Sequence, residues 1–189
     1  MDYFLTSGRL GFRHWTTEDL PLASALWGDR PVSVWLGGPF SAEAIQKRLA
    51  AEIQQQAEHG VQYWPIFLLA NHEHVGCAGL RPKTANTFEL GYHLKAAFWG
   101  QGLATEAAST VVQHAFSVLG VETLFAGHHP RNDPSRKVLG KLGFVYAGDE
   151  FYEPSGFVEP TYLLHRHDWC AHRNEHHLNH PQSATAGQA

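Results

Sequence analysis

The chain has 189 residues, 43% hydrophobic and 17% charged, enough for one ordinary domain that buries roughly 70% of its unfolded surface and too apolar for a disordered scaffold. Its formal net charge of −4, with no compensating basic arm, excludes a protein whose main task is neutralising a nucleic-acid backbone. Fourteen histidines, with reference pKa values of about 6.5, make that charge sensitive to pH as it falls towards 6.

Residues 9–15 alternate polar and apolar, predicting a half-buried first strand. Thr17 is the expected N-cap of a helix that turns Leu22, Ala23 and Leu26 to one side, with Glu18 and Asp19 in its first turn. After a turn at Gly37-Gly38-Pro39, Ser41 caps a second helix in which Ile45, Leu49 and Ile53 recur every four residues. Gly60 is placed to end it in a left-handed conformation. Two extended runs, Tyr63 to Ala70 and Val75 to Leu80, flank a loop at residues 71–74 and predict an antiparallel pair. In the next strand Phe88, Leu90, Tyr92 and Leu94 share one face, expected to be core, and Glu89, Gly91 and His93 share the other. Gly100-Gln101-Gly102 then opens a helix with Leu103, Ala107, Val111, Ala115 and Val118 inward, stopped by Gly120. Val121 to His128 reads as a strand. Asp133 is the expected N-cap of a helix with Pro134 at its first position and Val138, Leu139 and Leu142 on its apolar side, up to Gly143. Strands are expected at Phe144 to Ala147 and Thr161 to Arg166. Strands thus both neighbour one another and alternate with helices, which gives a mixed sheet with helices on its faces, class α/β or α+β. The apolar pattern fades from Asp168, so residues 1–168 read as one domain and 169–189 as a His-rich tail.

The run Gly100-Gln101-Gly102-Leu103-Ala104-Thr105 carries the backbone logic of an anion site, because positions without side chains expose successive N–H groups at the positive end of a helix. A dinucleotide fingerprint would need a small residue at Thr105 and an acid at the end of the following strand, where Glu122 instead stands at its start. A phosphate loop would need Gly-Lys-Ser/Thr, which does not occur. A short pyrophosphate cradle and a plain helix cap remain.

Glu89-Leu90-Gly91-Tyr92, Trp99-Gly100-Gln101-Gly102-Leu103-Ala104-Thr105-Glu106-Ala107, Asn132-Asp133-Pro134-Ser135 and Lys141-Leu142-Gly143-Phe144 resemble, in order and spacing, the GNAT superfamily of N-acetyltransferases. The likeness is to the branch of the ribosomal-protein N-terminal acetyltransferases RimJ and RimL, and runs from Arg9-Leu10 to about Tyr162. The superfamily's signature is Gln/Arg-x-x-Gly-x-Gly/Ala, and Trp99 departs from its first position, removing one side-chain contact to the cofactor. The resemblance implies a single GNAT-like domain, a bent mixed sheet whose central strands splay to admit the pantetheine arm of acetyl-CoA, used as co-substrate with no metal. It implies that Gln101, Gly102, Leu103 and Ala104, within the stretch from Trp99 to Thr105, offer backbone N–H groups to the pyrophosphate. It further implies that the Asn132 amide holds the pantetheine, and that Ser135 also stands at the departing thiolate. Arg136 could reach CoA phosphates, and the oxyanion would be met by a backbone N–H of a bulged strand near His93 or Leu94.

Acetyl transfer to an amine needs a free lone pair, a polarised thioester carbonyl and a protonated leaving thiolate. Glu89 is the candidate base, on the polar face of its strand, with orientation of the substrate ammonium as the alternative role. His93 and His128 are further candidates on the same side. Aromatic residues including Trp35 and Tyr63 would wall the acceptor, which is a protein N-terminus or a small-molecule amine. Cys77, in an apolar strand, reads as an inert buried thiol rather than an acyl carrier.

His165, His167, Cys170, His172, His176, His177 and His180 crowd the C-terminus but match no zinc pattern. The reading is therefore an acetyl-CoA-dependent N-acetyltransferase, the alternatives being a non-catalytic acyl-CoA-binding or sensing domain and a metal-handling protein. Cys77 and Cys170 form no C-x-x-C pair. Residues 1–4 show no basic leader, and no apolar run nears the ~18 residues of a membrane span. A cytoplasmic protein without nucleic-acid or membrane partners is expected, and a homodimer is compatible with the sequence.

Overall fold

The computed structural model describes residues 2–171. Strands β1 (Leu5–Thr6) and β2 (Leu10–Phe12) lead into helices α1 (Leu20–Trp27), α2 (Arg30–Ser33) and α3 (Ala42–His59). Strands β3 (Tyr63–Leu68), β4 (His74–Pro82) and β5 (Thr87–Leu94) follow, then α4 (Leu103–Ser117), β6 (Thr123–Gly127), α5 (Asp133–Lys141), β7 (Val145–Tyr152) and β8 (Phe157–His165). They form one mixed sheet in the order β1-β2-β3-β4-β5-β6-β8-β7, antiparallel throughout except for the β5–β6 pair. This is the expected mixed sheet with helices on both faces.

Two apolar clusters show how the helices are divided. Leu103, Ala107, Val111 and Ala115 of α4 pack with Trp64, Ile66, Ala78, Leu80, Leu90 and Leu94. Leu26 and Trp27 of α1 and Ile45 and Leu49 of α3 pack with Trp15, Tyr63 and Cys77. Because side chains alternate along a strand, β3 and β4 feed both clusters, one from each face. Each fully buried large side chain such as Trp27 or Trp64 stabilises the fold by roughly 1.5–3 kcal/mol over an exposed one.

Ser41 caps α3 by accepting the Ala44 N–H at 3.2 Å, and Gly60 ends it at φ 71°, as the spacing predicts. Several boundaries differ. The strand expected first, at residues 9–15, is the second, after β1, and spans only Leu10–Phe12, because the Trp15 N–H and indole N–H turn to Gln62 Oε1 and the Tyr63 carbonyl. Thr16, not Thr17, precedes the first helical turn: Asp19 accepts the Thr16 N–H at 2.8 Å and pairs with both Arg13 Nη atoms. Asn132, not Asp133, caps α5, since its Oδ1 reaches the Ser135 N–H at 3.3 Å while Asp133 already belongs to the helix. Val118 lies past the end of α4 and is exposed, with Gly120 in the left-handed region at φ 67° beyond it. Strands β7 and β8 are longer than expected, and the outer surface of β7 leaves Val145, Tyr146 and Phe151 in solvent.

Packing extends at least to Trp169, which lies against Phe116 with ring centroids 5.3 Å apart. His172, His176, His177 and His180 of the expected tail lie outside the described residues.

Candidate active site

The β4–β5 ladder aligns Cys77 with His93, Gly79 with Gly91 and Arg81 with Glu89, while β3 aligns Tyr63 with Gly79. Those side chains share the sheet face covered by α1 and α3, and Tyr92 and Leu94 share the α4 face. Strands β5 and β6 pair only at Thr87, Phe88 and Glu89. Beyond Glu89 they part, and the gap opens the sheet from one face to the other. Residues of both faces line one cavity of about 560 Å³.

On the α4 face the wall is backbone. Gly100 and Gly102 have φ of 75° and 77°, which glycine adopts without the penalty a Cβ brings. Gly102 caps α4 and accepts the Glu106 N–H, so the N–H groups of Leu103, Ala104 and Thr105 form the first turn, whose donors have no acceptor within the helix. Arg9, just before β2, holds this turn by donating to the Gln101 carbonyl at 3.1 Å and to Glu106 Oε2 at 2.6 Å. The Trp99 indole donates to the Leu94 carbonyl at 2.8 Å. From α5, Ser135 Oγ lies 2.8 Å from the Tyr92 hydroxyl, and burial raises the Tyr92 pKa, keeping the phenol protonated.

On the other face the floor is charged and aromatic. Tyr63 lies across Gly91: a Cβ there would stand 2.3 Å from the Tyr63 ring. Burial raises the Tyr63 pKa, and the Glu89 carboxylate adds to this. The Arg81 guanidinium sits 4.2 Å from the Tyr63 ring centroid and pairs with the buried Glu52, which also accepts the Tyr63 N–H at 2.8 Å. Removing one partner of such a buried pair typically costs about 3–5 kcal/mol. His93 Nδ1 faces the Trp27 indole N–H at 3.4 Å, and burial, reinforced by Arg48 and Arg81, lowers its pKa well below the usual histidine range. His93 is therefore a neutral wall. His128 Nδ1 is 2.9 Å from the His129 carbonyl and Nε2 is 3.3 Å from the Tyr162 hydroxyl. A carbonyl only accepts, so His128 is Nδ1-protonated and both nitrogens are engaged.

Residues 9–145 match the family model described as the acetyltransferase (GNAT) domain. The chain belongs to the GNAT acetyltransferase family. As a GNAT protein it is an acyl-CoA-dependent acetyltransferase. It is 26% identical over 148 residues to the uncharacterised N-acetyltransferase p20 of Bacillus licheniformis, covering 76% of this chain and 83% of p20. Its fold is similar to that of a GNAT-family acetyltransferase from Bacillus anthracis, with TM-score 0.75, 20% identity, and coverage of 86% of this chain and 98% of that one. It is also similar in fold to the ribosomal alpha-N-protein acetyltransferase RimL, solved with coenzyme A, with TM-score 0.74, 17% identity, and coverage of 87% and 98%.

The residues present fit the acyl-CoA this GNAT fold uses. The gap past Glu89 can admit a narrow chain, the open glycine turn presents backbone donors, and no atom lies within 4 Å of a Cβ built at Gly100. Of the residues singled out in the sequence, Glu89, Ser135, Asn132, Leu94, Trp99, Gly100, Gly102, Leu103, Ala104, Thr105, Trp35, Tyr63, His93 and His128 all line the cavity. Gln101 and Arg136 do not: the Gln101 amide donates to the Ala97 carbonyl, and Arg136 pairs with Asp133. The bulge expected near His93 or Leu94 is instead at Val75 of β4, where Ile66 aligns with Gly76 and Phe67 with His74, and β5 stays regular against β4. Cys77 is fully buried, and burial pushes its thiol pKa up, which suits an inert thiol. Among the described residues no group of three or more His, Cys, Asp or Glu is arranged to hold a metal, and no helix is long and apolar enough to cross a membrane.

Sequence reasoning missed Tyr92, assigned to the core face, together with Arg48, Glu52, Arg81 and Glu159. Glu52 carries a readable signal: a carboxylate three residues after Leu49, beside the apolar stripe of α3, must be paired when buried.

Proposed function

We propose that this GNAT protein moves an acetyl group from acetyl-CoA directly to a primary amine, with no acyl-enzyme, and that it is a RimJ/RimL-like member acting in the cytoplasm. The observation that carries the reading is that Glu89 and Ser135, on opposite faces of the sheet, open into one cavity through the β5–β6 gap. Bound acetyl-CoA supplies an activated acyl group. The backbone donors of Gly102, Leu103, Ala104 and Thr105 hold its pyrophosphate, and the Asn132 amide nitrogen, its Oδ1 committed to the helix cap, faces the pantetheine.

The Lys95 N–H bonds to Val75 on the β4 side. By alternation along a strand, the N–H groups of Tyr92 and Leu94 point into the gap, where they polarise the thioester carbonyl. Glu89 takes the amine proton as the C–N bond forms. Ser135, with the Tyr92 hydroxyl beside it, donates a hydrogen bond to the sulfur as the C–S bond breaks, and the departing thiolate takes its proton from solvent. Trp35, Tyr63, His93 and His128 wall the acceptor.

The test is an acceptor screen with free-thiol readout, covering amino acids, polyamines, aminoglycosides and N-terminal peptides. Acetylation of one amine class, with the product mass raised by one acetyl group, supports transfer. Acetyl-CoA binding with no acceptor turned over points to a sensing domain instead.

A further inference from the structure

We infer that the acceptor is a small amine that also carries a carboxylate, and that Arg48 holds this carboxylate. The inference rests on the proposal that the Glu89 side of the cavity receives the amine.

Arg48 stands on α3 four residues before Glu52, the spacing at which the two could pair. Glu52 turns away: its Oε1 takes the Arg81 Nη2 and its Oε2 the Tyr63 N–H. Arg48 is left with no carboxylate of the described residues within ion-pair distance, and its buried Nε makes no hydrogen bond. Aromatic faces hold it instead, its guanidinium carbon 4.8 Å from the Trp27 ring centroid and 5.7 Å from that of Phe40. It lines the cavity, and its charge is among the causes that lower the His93 pKa and oppose the burial-driven rise at Tyr152. A buried guanidinium N–H without an acceptor is costly. A carboxylate brought in by a ligand offers the two oxygens its planar fork matches.

The other charges of the wall define what accompanies that carboxylate. Arg81 is paired with Glu52, and Lys83 with Glu150 at 3.0 Å. Glu89 and Glu159 line the same cavity and make no ion pair among the described residues, although Ser155 Oγ donates to Glu159 at 2.7 Å. Lys137 and Lys141 also line the cavity, on α5, the helix that carries Ser135. Around Glu89, the Arg48 guanidinium beside the Glu89 and Glu159 carboxylates suits a ligand with one anionic group and an ammonium.

The size of the acceptor follows from the roof. Gly37 packs so closely on the β7–β8 turn that a Cβ there would stand 1.9 Å from the Pro154 carbonyl oxygen. The segments bearing Trp35 and Leu36 on one side and Tyr152 on the other therefore touch at the edge of the cavity that all three residues line. A small molecule fits beneath this contact, whereas a peptide would have to part it to let its chain leave.

The experiment uses amines in matched sets: an α-amino acid, its amide and its decarboxylated amine, with C-terminally amidated peptides as a fourth arm. They are assayed with the full-length protein and with Arg48→Gln and Arg48→Lys, alongside acetyl-CoA affinity by calorimetry and thermal melting. The expected result is a kcat/KM at least tenfold higher for the amino acid than for its amide and amine partners. Arg48→Gln is expected to collapse that ratio towards one by raising KM for the amino acid about tenfold or more, and Arg48→Lys to recover part of it. Equal rates across a matched set, or preference for the peptides, overturn the inference and leave amine acetylation standing. A uniform loss in Arg48→Gln with a lowered melting temperature shows a packing role and overturns it too. Acetyl-CoA binding without turnover of any amine overturns the transfer reading itself, and the role of Arg48 with it.

Discussion

The Tyr92 hydroxyl lies 2.8 Å from Ser135 Oγ and 3.2 Å from the Ser135 carbonyl oxygen, tying the middle of β5 to the first turn of α5 across the mouth of the gap. The carbonyl can only accept, so a Tyr92 proton directed at it makes Ser135 Oγ the donor to Tyr92, and a Tyr92 proton turned to Ser135 Oγ frees the serine proton for the sulfur; burial keeps the phenol protonated.

Ser135→Ala is expected to lower kcat at least about tenfold, since general acid–base assistance is typically worth 10²–10⁴-fold and water can stand in for part of it. Tyr92→Phe should give a smaller loss in the same direction. Neither should move acetyl-CoA affinity more than about twofold. Steady-state rates beside calorimetric titration check this, and a loss confined to affinity would assign both hydroxyls to cofactor binding alone.

Glu89→Gln keeps the shape of the side chain and removes its ability to take a proton. Turnover should fall about tenfold or more, and the acidic limb of the pH–rate profile should flatten where that limb reports this carboxylate. An unaltered profile and wild-type turnover would move the base to His93, whose Nδ1 alone faces the Trp27 indole, or to water, since both ring nitrogens of His128 are engaged.

Gly102→Val places a branched side chain at φ 77°, a conformation that costs L-residues about 1–2 kcal/mol, and at the helix end where phosphate approaches. A modest drop in melting temperature with loss of acetyl-CoA binding is expected. Unchanged affinity by calorimetry would remove the cradle.

Gly91→Ala tests how the acceptor floor is built, because the added methyl meets the Tyr63 ring at 2.3 Å and must displace it from Glu89. The acceptor KM should rise severalfold while acetyl-CoA affinity holds, a split read from two-substrate kinetics. Equal loss of both would mean that the sheet itself had shifted.

His74 is buried against Trp15 and Phe67, and burial, with the Lys95 charge, lowers its pKa to about 4 against a weaker opposing contact from the Gly76 backbone. The folded pKa lies below the unfolded value of about 6.5, so the unfolded chain binds the extra proton first. Stability from this site is present above about pH 6.5 and is lost as pH falls towards 4, by up to about 3 kcal/mol. Melting curves from pH 7 to 5 should fall less for His74→Phe than for the wild type, and parallel curves would show that His74 does not carry the acid sensitivity.

Local patterns alone carried a good part of this protein. The four-residue recurrence of Ile45, Leu49 and Ile53 between Ser41 and Gly60 defines α3, and the alternation in 88–94 separates Glu89 and His93 from Leu90 and Leu94. The ordered motifs from Glu89 to Phe144 point to a GNAT domain. Each is written within a few residues of chain, where a helix period of 3.6 or a strand period of 2 leaves a direct imprint. Caps one residue off, Thr16 for Thr17 and Asn132 for Asp133, mark the resolution of such signals, because adjacent polar side chains compete for the same N–H groups. What tertiary structure decided is the choice of partners. The β3–β4–β5 register sets Tyr63 over Gly91 and beside Glu89, and the early parting of β5 from β6 brings Tyr92, read as core, to Ser135 forty-three residues away. Glu52 passes over Arg48, its neighbour on the helix, for Arg81, twenty-nine residues on. A buried charge is satisfied by whichever group folding brings within reach, and sequence separation carries no record of that distance.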